Sequence, residues 1–419
     1  MKIHQLKKSK FGKDTIWLIF GQFVAMGAGF TLNVYIGYRF DMNSLGLFNQ
    51  SLAIYLILAI LFSLGLNNTL LKKISEKKQD INHEGRLFTN NLLITIVAST
   101  SLSAIFMFTI LKFPNLLPSD ELASTLPSMF LALPLFCVNK NFAALYSGKR
   151  DQKKYALQRV FRWSILVVVF LAGDLANSPI QPLMFAFLFI EAILVVINSI
   201  LCRKYFNFNI SIHIIQSSLY FGLGSYISEI TSTVNRYADV VIVAYFLTGE
   251  EAGQYSFVAY FVRTLYIFPG VVMQNISPIV SHHWQRKTIA DLNQKLRKVR
   301  SVNIIVLTLQ LGALILLFRI LIEMQEGFES SFGGFLIALV GTFLFAQIYW
   351  GGSVLIMTER LRANFYRTVL ILVANVTICV LGSYTMGFIG SSIALSMSAL
   401  ISFLLLRSFV QRKTGIQLI

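Results

Sequence analysis

Charged residues punctuate this chain at wide intervals, and the stretches between them are apolar. Asp14 to Arg39 encloses 24 uncharged residues, Asp41 to Lys72 encloses 30, Arg86 to Lys112 encloses 25 and Glu329 to Glu359 encloses 29. A hydrocarbon core about 30 Å thick needs about 20 residues of helix, so each stretch predicts one membrane crossing. Arg367 to Arg407 encloses 39 uncharged residues. As one helix that would run about 58 Å, too far for a single crossing, and a hairpin near Gly382, Gly387 and Gly390 is expected. Candidates near 122–146, 156–174, 182–202, 218–246, 253–280 and 302–322 raise the expectation to about twelve spans.

The charges themselves test that layout, because Lys and Arg collect in cytoplasmic loops. With the N-terminus inside, segments 1–13, 72–90, 147–162, 203–216, 281–302, 358–367 and 407–419 hold 30 of them, and the outer loops hold only Arg39 and Lys112. Glu250 and Glu251 make one outer loop acidic; Glu323, Glu326 and Glu329 do the same to another. Both termini are therefore expected in the cytoplasm, with an even number of helices between them.

Composition narrows the class further. A chain of 419 residues with 55% hydrophobic and 13% charged residues is neither disordered, nor a disulfide-stapled secreted domain, nor an ordinary soluble enzyme. A net charge of +17 would point to nucleic acid on a soluble fold. Here the charge sits between apolar segments, so loop charge is the expectation and no nucleic-acid partner is. The start, Met1-Lys-Ile-His-Gln-Leu-Lys-Lys-Ser-Lys, is basic, but the apolar segment after it is 24 residues long with no small-residue cleavage site. The first helix is expected to stay as an anchor. Cys137, Cys202 and Cys379 have no close pair and predict neither disulfide nor zinc site. Outer loops of about a dozen residues at most leave no room for an extracytoplasmic catalytic domain, so function belongs to the helix bundle, and no cofactor is expected.

Shifting the chain on itself by 207 residues lays the first two spans over the seventh and eighth. Tyr38 falls on Tyr245, Gly46 on Gly253, Leu58 on Leu265, Ile60 on Ile267 and Asn68 on Asn275. The expected architecture is all-α and membrane-integral, with about twelve transmembrane helices in two six-helix lobes related by a pseudo-two-fold along the membrane normal. The lobes are residues 1–202 and 217–419, joined by a cytoplasmic linker at 203–216.

Two segments carry a family resemblance. Gly46-Leu-Phe-Asn-Gln-Ser-Leu-Ala53 after a long first helix, and Arg236-Tyr-Ala-Asp239 followed by Tyr245-Phe-Leu-Thr-Gly-Glu-Glu-Ala-Gly253-Gln-Tyr-Ser-Phe-Val-Ala259, resemble the polysaccharide-exporter branch of the multidrug/oligosaccharidyl-lipid/polysaccharide (MOP) exporter superfamily, nearest to the O-antigen (Wzx-type) flippases. The resemblance implies a two-lobed flippase of the bacterial inner membrane that moves an undecaprenyl-diphosphate-linked oligosaccharide to the periplasmic leaflet. It implies the bilayer, a polysaccharide polymerase and a chain-length regulator as further partners. The superfamily's drug exporters usually place a carboxylate in the first helices, and none lies inside the first two spans here. Lipid II flippases concentrate arginines in those helices, which is not seen either. A membrane glycosyltransferase or polymerase would need a substantial outer loop.

Charges at membrane depth are costly and must face the bundle interior or water. Arg263 lies about ten residues inside its span, near the midplane, and leads the candidates. Arg236 and Asp239 are three apart and close enough to pair; Glu229 precedes them by two turns. Glu191 falls mid-span, and Lys140 lies toward the inner end of the fourth. Arg263, Arg236 and Lys140 suit a diphosphate headgroup, because guanidinium forks and ammonium charges bond phosphate oxygens. Asp239, Glu229 and Glu191 are candidates for ion coupling or gating. For each there is a plainer reading: Arg263 bridged to Glu229 or Asp239, Arg236 bridged to Asp239, Lys140 snorkelling, and Glu191 as a polar link between helices. Gln22, Asn33, Asn49, Gln50, Asn67, Asn68, Asn235, Gln274 and Asn275 could equally bond sugars or neighbouring helices. Residues 284–300 alternate basic and apolar groups, with Ile289, Leu292, Leu296 and Val299 on one side, and predict an amphipathic helix lying on the anionic inner leaflet. His282-His283 lacks a third metal ligand at a suitable spacing.

Overall fold

The computed structural model describes residues 10–76, 80–176, 178–323 and 330–418. Glu326 and Glu329, and the side chain of Gln274, lie outside them. Among the described residues every regular element is a helix, and the chain groups into two compact units, one ending at Thr233 and the other beginning at Val234.

In the first unit, α1 (Lys10–Arg39) is followed by α2 (Met42–Ser63), α3 (Leu66–Glu76), α4 (Ile81–Lys112), α5 (Asp120–Gly148), α6 (Gln152–Leu175), a single turn at Ile180–Leu183 and α7 (Phe185–Leu201). The hub is α5, which packs against α2, α3, α4, α6 and α7. Its buried residues, including Leu122, Met129, Phe130, Leu133, Phe142 and Leu145, lie on more than one face, as such a position requires. By contrast α4 turns Val97, Ile105, Phe108 and Leu111 outward, an apolar face suited to lipid. Within α4, Thr95 and Ser99 donate to carbonyls four residues back at 2.8 and 2.5 Å, while Ser103 donates to the Phe130 carbonyl of α5.

The segment 203–216, expected as the linker, is a turn at Arg203–Tyr205 and an irregular stretch that leads into α8 (Ile212–Phe246). It is fastened to α4: Asn90 Nδ2 donates to the Asn209 carbonyl at 3.1 Å, and the Ser211 N–H donates back to Asn90 Oδ1 at 3.0 Å. The division between the units falls inside α8.

The second unit continues with α9 (Gly249–Arg263), α10 (Ile267–Gln285), α11 (Ile289–Glu323), α12 (Ser331–Ile348), two short turns at Tyr349–Ser353 and Val354–Met357, and α13 (Leu361–Thr414). Helix α13 is the expected hairpin. Gly387 has φ 59° and ψ −137°, a conformation only glycine adopts without strain. At the turn Gly382 and Gly390 meet backbone to backbone, and Ser383 and Ser391 hydroxyls pair at 2.9 Å. With α13 read as two crossings and α8 added to the ten helices long and apolar enough to span a bilayer among the described residues, the total there is about twelve.

The shift by 207 residues also relates secondary structure. Helix α1 ends at Arg39 and α8 at Phe246; α2 begins at Met42 and α9 at Gly249. The N-caps coincide as well. Asp41 accepts from the Ser44 N–H at 2.6 Å, and Thr248 forms a capping box with Glu251.

One expectation fails. The apolar stripe of residues 284–300 does not lie on a bilayer surface. It opens α11, and Leu292 and Leu296 are buried among Ile276, Val280, Trp350, Leu355 and Val410. After the left-handed C-cap Gly415, Ile416 and Leu418 fold into the same cluster. Arg300 Nη2 donates to the Gln417 carbonyl at 2.6 Å, and Asn293 Oδ1 accepts from the Gln417 N–H at 3.0 Å. Hydrophobic periodicity marks a face that must be covered; here the covering is protein.

Candidate functional site

Polar groups inside each unit gather into ion-paired clusters. In the first unit one cluster sits where α2 passes into α3. Leu64 and Gly65 both take left-handed conformations there, φ 48° and 67°, which interrupts the helix. The Leu61 carbonyl at the interruption accepts from Tyr226 OH at 2.7 Å. One turn along α8, Glu229 accepts from Asn68 Nδ2 at 2.6 Å and lies 3.3 Å from Lys140 Nζ. Lys140 also donates to Ser63 Oγ at 3.2 Å. The side chains of Lys140 and Glu229 keep 17% and 24% of their exposure, so another charged group can reach the pair.

A second, drier cluster joins α5, α6 and α7. Glu191, 1% exposed, forms an ion pair with the Arg162 guanidinium, whose Nη2 is 3.0 Å from Oε2. Asn139 Nδ2 donates to the same carboxylate at 2.8 Å, and its Oδ1 accepts from Asn198 Nδ2 at 2.9 Å. Tyr146 OH donates to Asn198 Oδ1 at 2.9 Å, and Gln158 Nε2 to the Asn139 carbonyl at 3.1 Å. The Arg162 guanidinium lies over the Phe136 ring, 4.8 Å from its centre. Glu191 is thus a link between helices, with a cationic partner.

The second unit holds Asp239, 2% exposed. Its Oδ2 accepts from Tyr255 OH at 2.7 Å and forms an ion pair with Arg263; its Oδ1 is buried without a partner. Arg263 is therefore bridged, by one of the two partners expected. Arg236 lies exposed and does not pair with Asp239 among the described residues. Nearby on α8, Asn235 accepts through its Oδ1 from Asn375 Nδ2 at 3.2 Å, and Ser398 Oγ donates to Asn375 Oδ1 at 3.0 Å.

Two functional candidates escape the sequence pattern. Arg159 and Arg162 were expected in a cytoplasmic loop; both lie within α6, half-buried, facing the interior. The expected span 156–174 contains them, and that overlap with segment 147–162 is the available signal. Away from these clusters, the His283 ring engages Thr288 Oγ1 at 2.7 Å and Lys295 Nζ at 3.0 Å. Among the described residues no three His, Cys, Asp or Glu side chains gather as a metal would require.

Many apolar crossings around interiors of paired charges define a multi-pass membrane protein. The family model for polysaccharide biosynthesis proteins matches residues 11–284, and the chain belongs to that family. Its fold is that of MOP-superfamily transporters. An inward-facing multidrug resistance transporter of the MATE family in that superfamily aligns with TM-score 0.75 and 12% identity, covering 96% of each chain. The lipid II flippase MurJ, inward closed, aligns with TM-score 0.72 and 14% identity over 95% of this chain and 87% of that one. A MOP-superfamily transporter from Pyrococcus furiosus, described as having a binding pocket of reverse polarity that suggests a different function, aligns with TM-score 0.64 and 13% identity over 99% of both. No curated protein matches the chain in sequence.

Proposed function

We propose that this protein is a lipid-linked oligosaccharide flippase, carrying an undecaprenyl-diphosphate-linked O-antigen or related polysaccharide repeat unit from the cytoplasmic to the periplasmic leaflet by alternating access. Membership of the polysaccharide biosynthesis family carries the reading. Cations at membrane depth support it: a diphosphate crossing a bilayer needs fixed positive charge, since its own desolvation is prohibitive. In this reading Lys140, Arg263 and Arg236 receive the headgroup. Glu229 and Asp239 hold two of these cations in its absence and gate access to them, while Glu191 fixes α5 against α6 and α7. With the cytoplasm negative, outward movement of the anion is favoured by about 2.3 kcal/mol per charge per 100 mV. No covalent bond need break.

Deletion of the gene tests the assignment. Complete lipid-linked repeat units should accumulate in the inner leaflet of the bacterial inner membrane, unaltered in covalent structure, and surface glycan should fall. Normal translocation with altered chain length would indicate a polymerase. Sensitivity to cationic drugs with normal surface glycan would indicate a drug exporter.

A further inference from the structure

Three cations lie on the inner halves of α5 and α6: Lys140, Arg159 and Arg162. Two carboxylates face them, and each is claimed, Glu229 by Lys140 and Glu191 by Arg162. Arg159 has no carboxylate among the described residues. Its guanidinium is held by neutral oxygens, donating through Nη1 to Gln22 Oε1 on α1 and through Nη2 to Tyr155 OH at 3.2 Å. The Tyr155 ring lies beneath it, 5.5 Å from the guanidinium carbon.

The position is an interior one. Tyr155, Arg159, Arg162 and Leu166 follow one another at helical spacing, on the side of α6 opposite the exposed Leu157, Val168 and Leu175. Asp174, paired with Arg39 at 2.9 Å, marks the outer end of α6. Arg159 lies fifteen residues before it, about 22 Å along the axis and within the inner half of the crossing. A half-buried cation without counter-charge is costly to keep. Two neutral acceptors orient it without neutralising it, and among the described residues three of its five N–H donors have no acceptor.

We propose that Arg159, aimed by Gln22 and Tyr155, is the anion anchor of the first unit and takes the diphosphate of a polyprenyl-linked substrate. The proposal rests on the flippase reading and adds a residue to it. Lys140 must leave Glu229 before it can serve an incoming anion; Arg159 displaces no carboxylate, so it makes the first contact. The free donors of its planar fork match two phosphate oxygens.

The test uses the full-length protein in nanodiscs, with binding measured for farnesyl diphosphate, farnesol and inorganic pyrophosphate. Arg159→Gln should weaken farnesyl diphosphate at least tenfold and leave farnesol unchanged. Arg159→Lys, which keeps charge and loses the fork, should recover part of the loss. Arg86→Gln, at an exposed position on α4, should change nothing. Equal losses for diphosphate and farnesol would show a structural role and overturn the proposal, as would unchanged farnesyl diphosphate binding in Arg159→Gln. Loss of pyrophosphate binding alone would make the site one for a soluble anion and overturn the lipid assignment. If the wild type fails to prefer farnesyl diphosphate over farnesol, the flippase reading itself fails, a result distinct from failure of Arg159.

Discussion

Asp239 illustrates how much a single buried charge depends on its partner. With its carboxylate 2% exposed and one oxygen unpaired, it relies on Arg263 and Tyr255. Arg263→Ala should strand that charge at a cost of about 3–5 kcal/mol, and Asp239→Asn added to it should restore most of the lost thermal stability in detergent. Transport separates the roles. If Arg263 meets the headgroup, the stable double mutant should still fail to translocate; full activity would reduce Arg263 to a structural bridge. Five of the six charged candidates named from sequence lie in ion pairs, while Arg236 is exposed, and the pairings follow contacts across helices that a one-dimensional spacing does not encode: Arg263 with Asp239 and Lys140 with Glu229. Arg159 and Arg162 were missed because loop counting assigns every cation near a span's inner end to the cytoplasm. Yet Arg162 to Asp174 encloses only 11 uncharged residues, about 17 Å, which cannot cross a bilayer without taking both arginines in.

Helix ends and turns are more legible, because their chemistry is local. The glycines that predict the α13 hairpin include the one residue with a conformation forbidden to others. Gly387→Ala should cost about 1–3 kcal/mol in backbone strain and lower the melting temperature without moving either arm's sequence register. An unchanged melting temperature would show that the turn lies elsewhere. The start of α11 shows the opposite case. Leu292 and Leu296 mark an apolar face correctly, but periodicity is silent on whether lipid or protein covers it. Removing residues 415–419 should uncover the cluster around Trp350 and Leu355. Ile416 and Leu418 would each forfeit about 1.5–3 kcal/mol of burial, read as a lower melting temperature of the purified protein. Truncation without effect would mean that the tail does not pack there.

For the whole molecule, we propose the orientation that loop charge favours, with the termini inside, a bias that persists when Arg159 and Arg162 are withdrawn from the count. The three native cysteines are free and buried, which gives a low background for labelling. Single cysteines at Ser75, Gln152 and Thr288 should resist an impermeant thiol reagent added to spheroplasts, and ones at Asn43 and Ser119 should react; the reverse pattern would invert the topology. The 207-residue shift that lays Gly46 on Gly253 in sequence also lays the N-cap Asp41 on the N-cap Thr248, whereas what the bundle carries depends on groups brought together only by folding. The most direct measurement is translocation itself. Purified protein would be reconstituted into liposomes with an undecaprenyl-diphosphate-linked oligosaccharide confined to one leaflet, and its arrival in the other leaflet followed by an enzyme that trims exposed glycan. Faster arrival than in protein-free liposomes, with the lipid-linked unit intact, is the result expected of a flippase. Arrival at the protein-free rate, or release of free glycan, would contradict it.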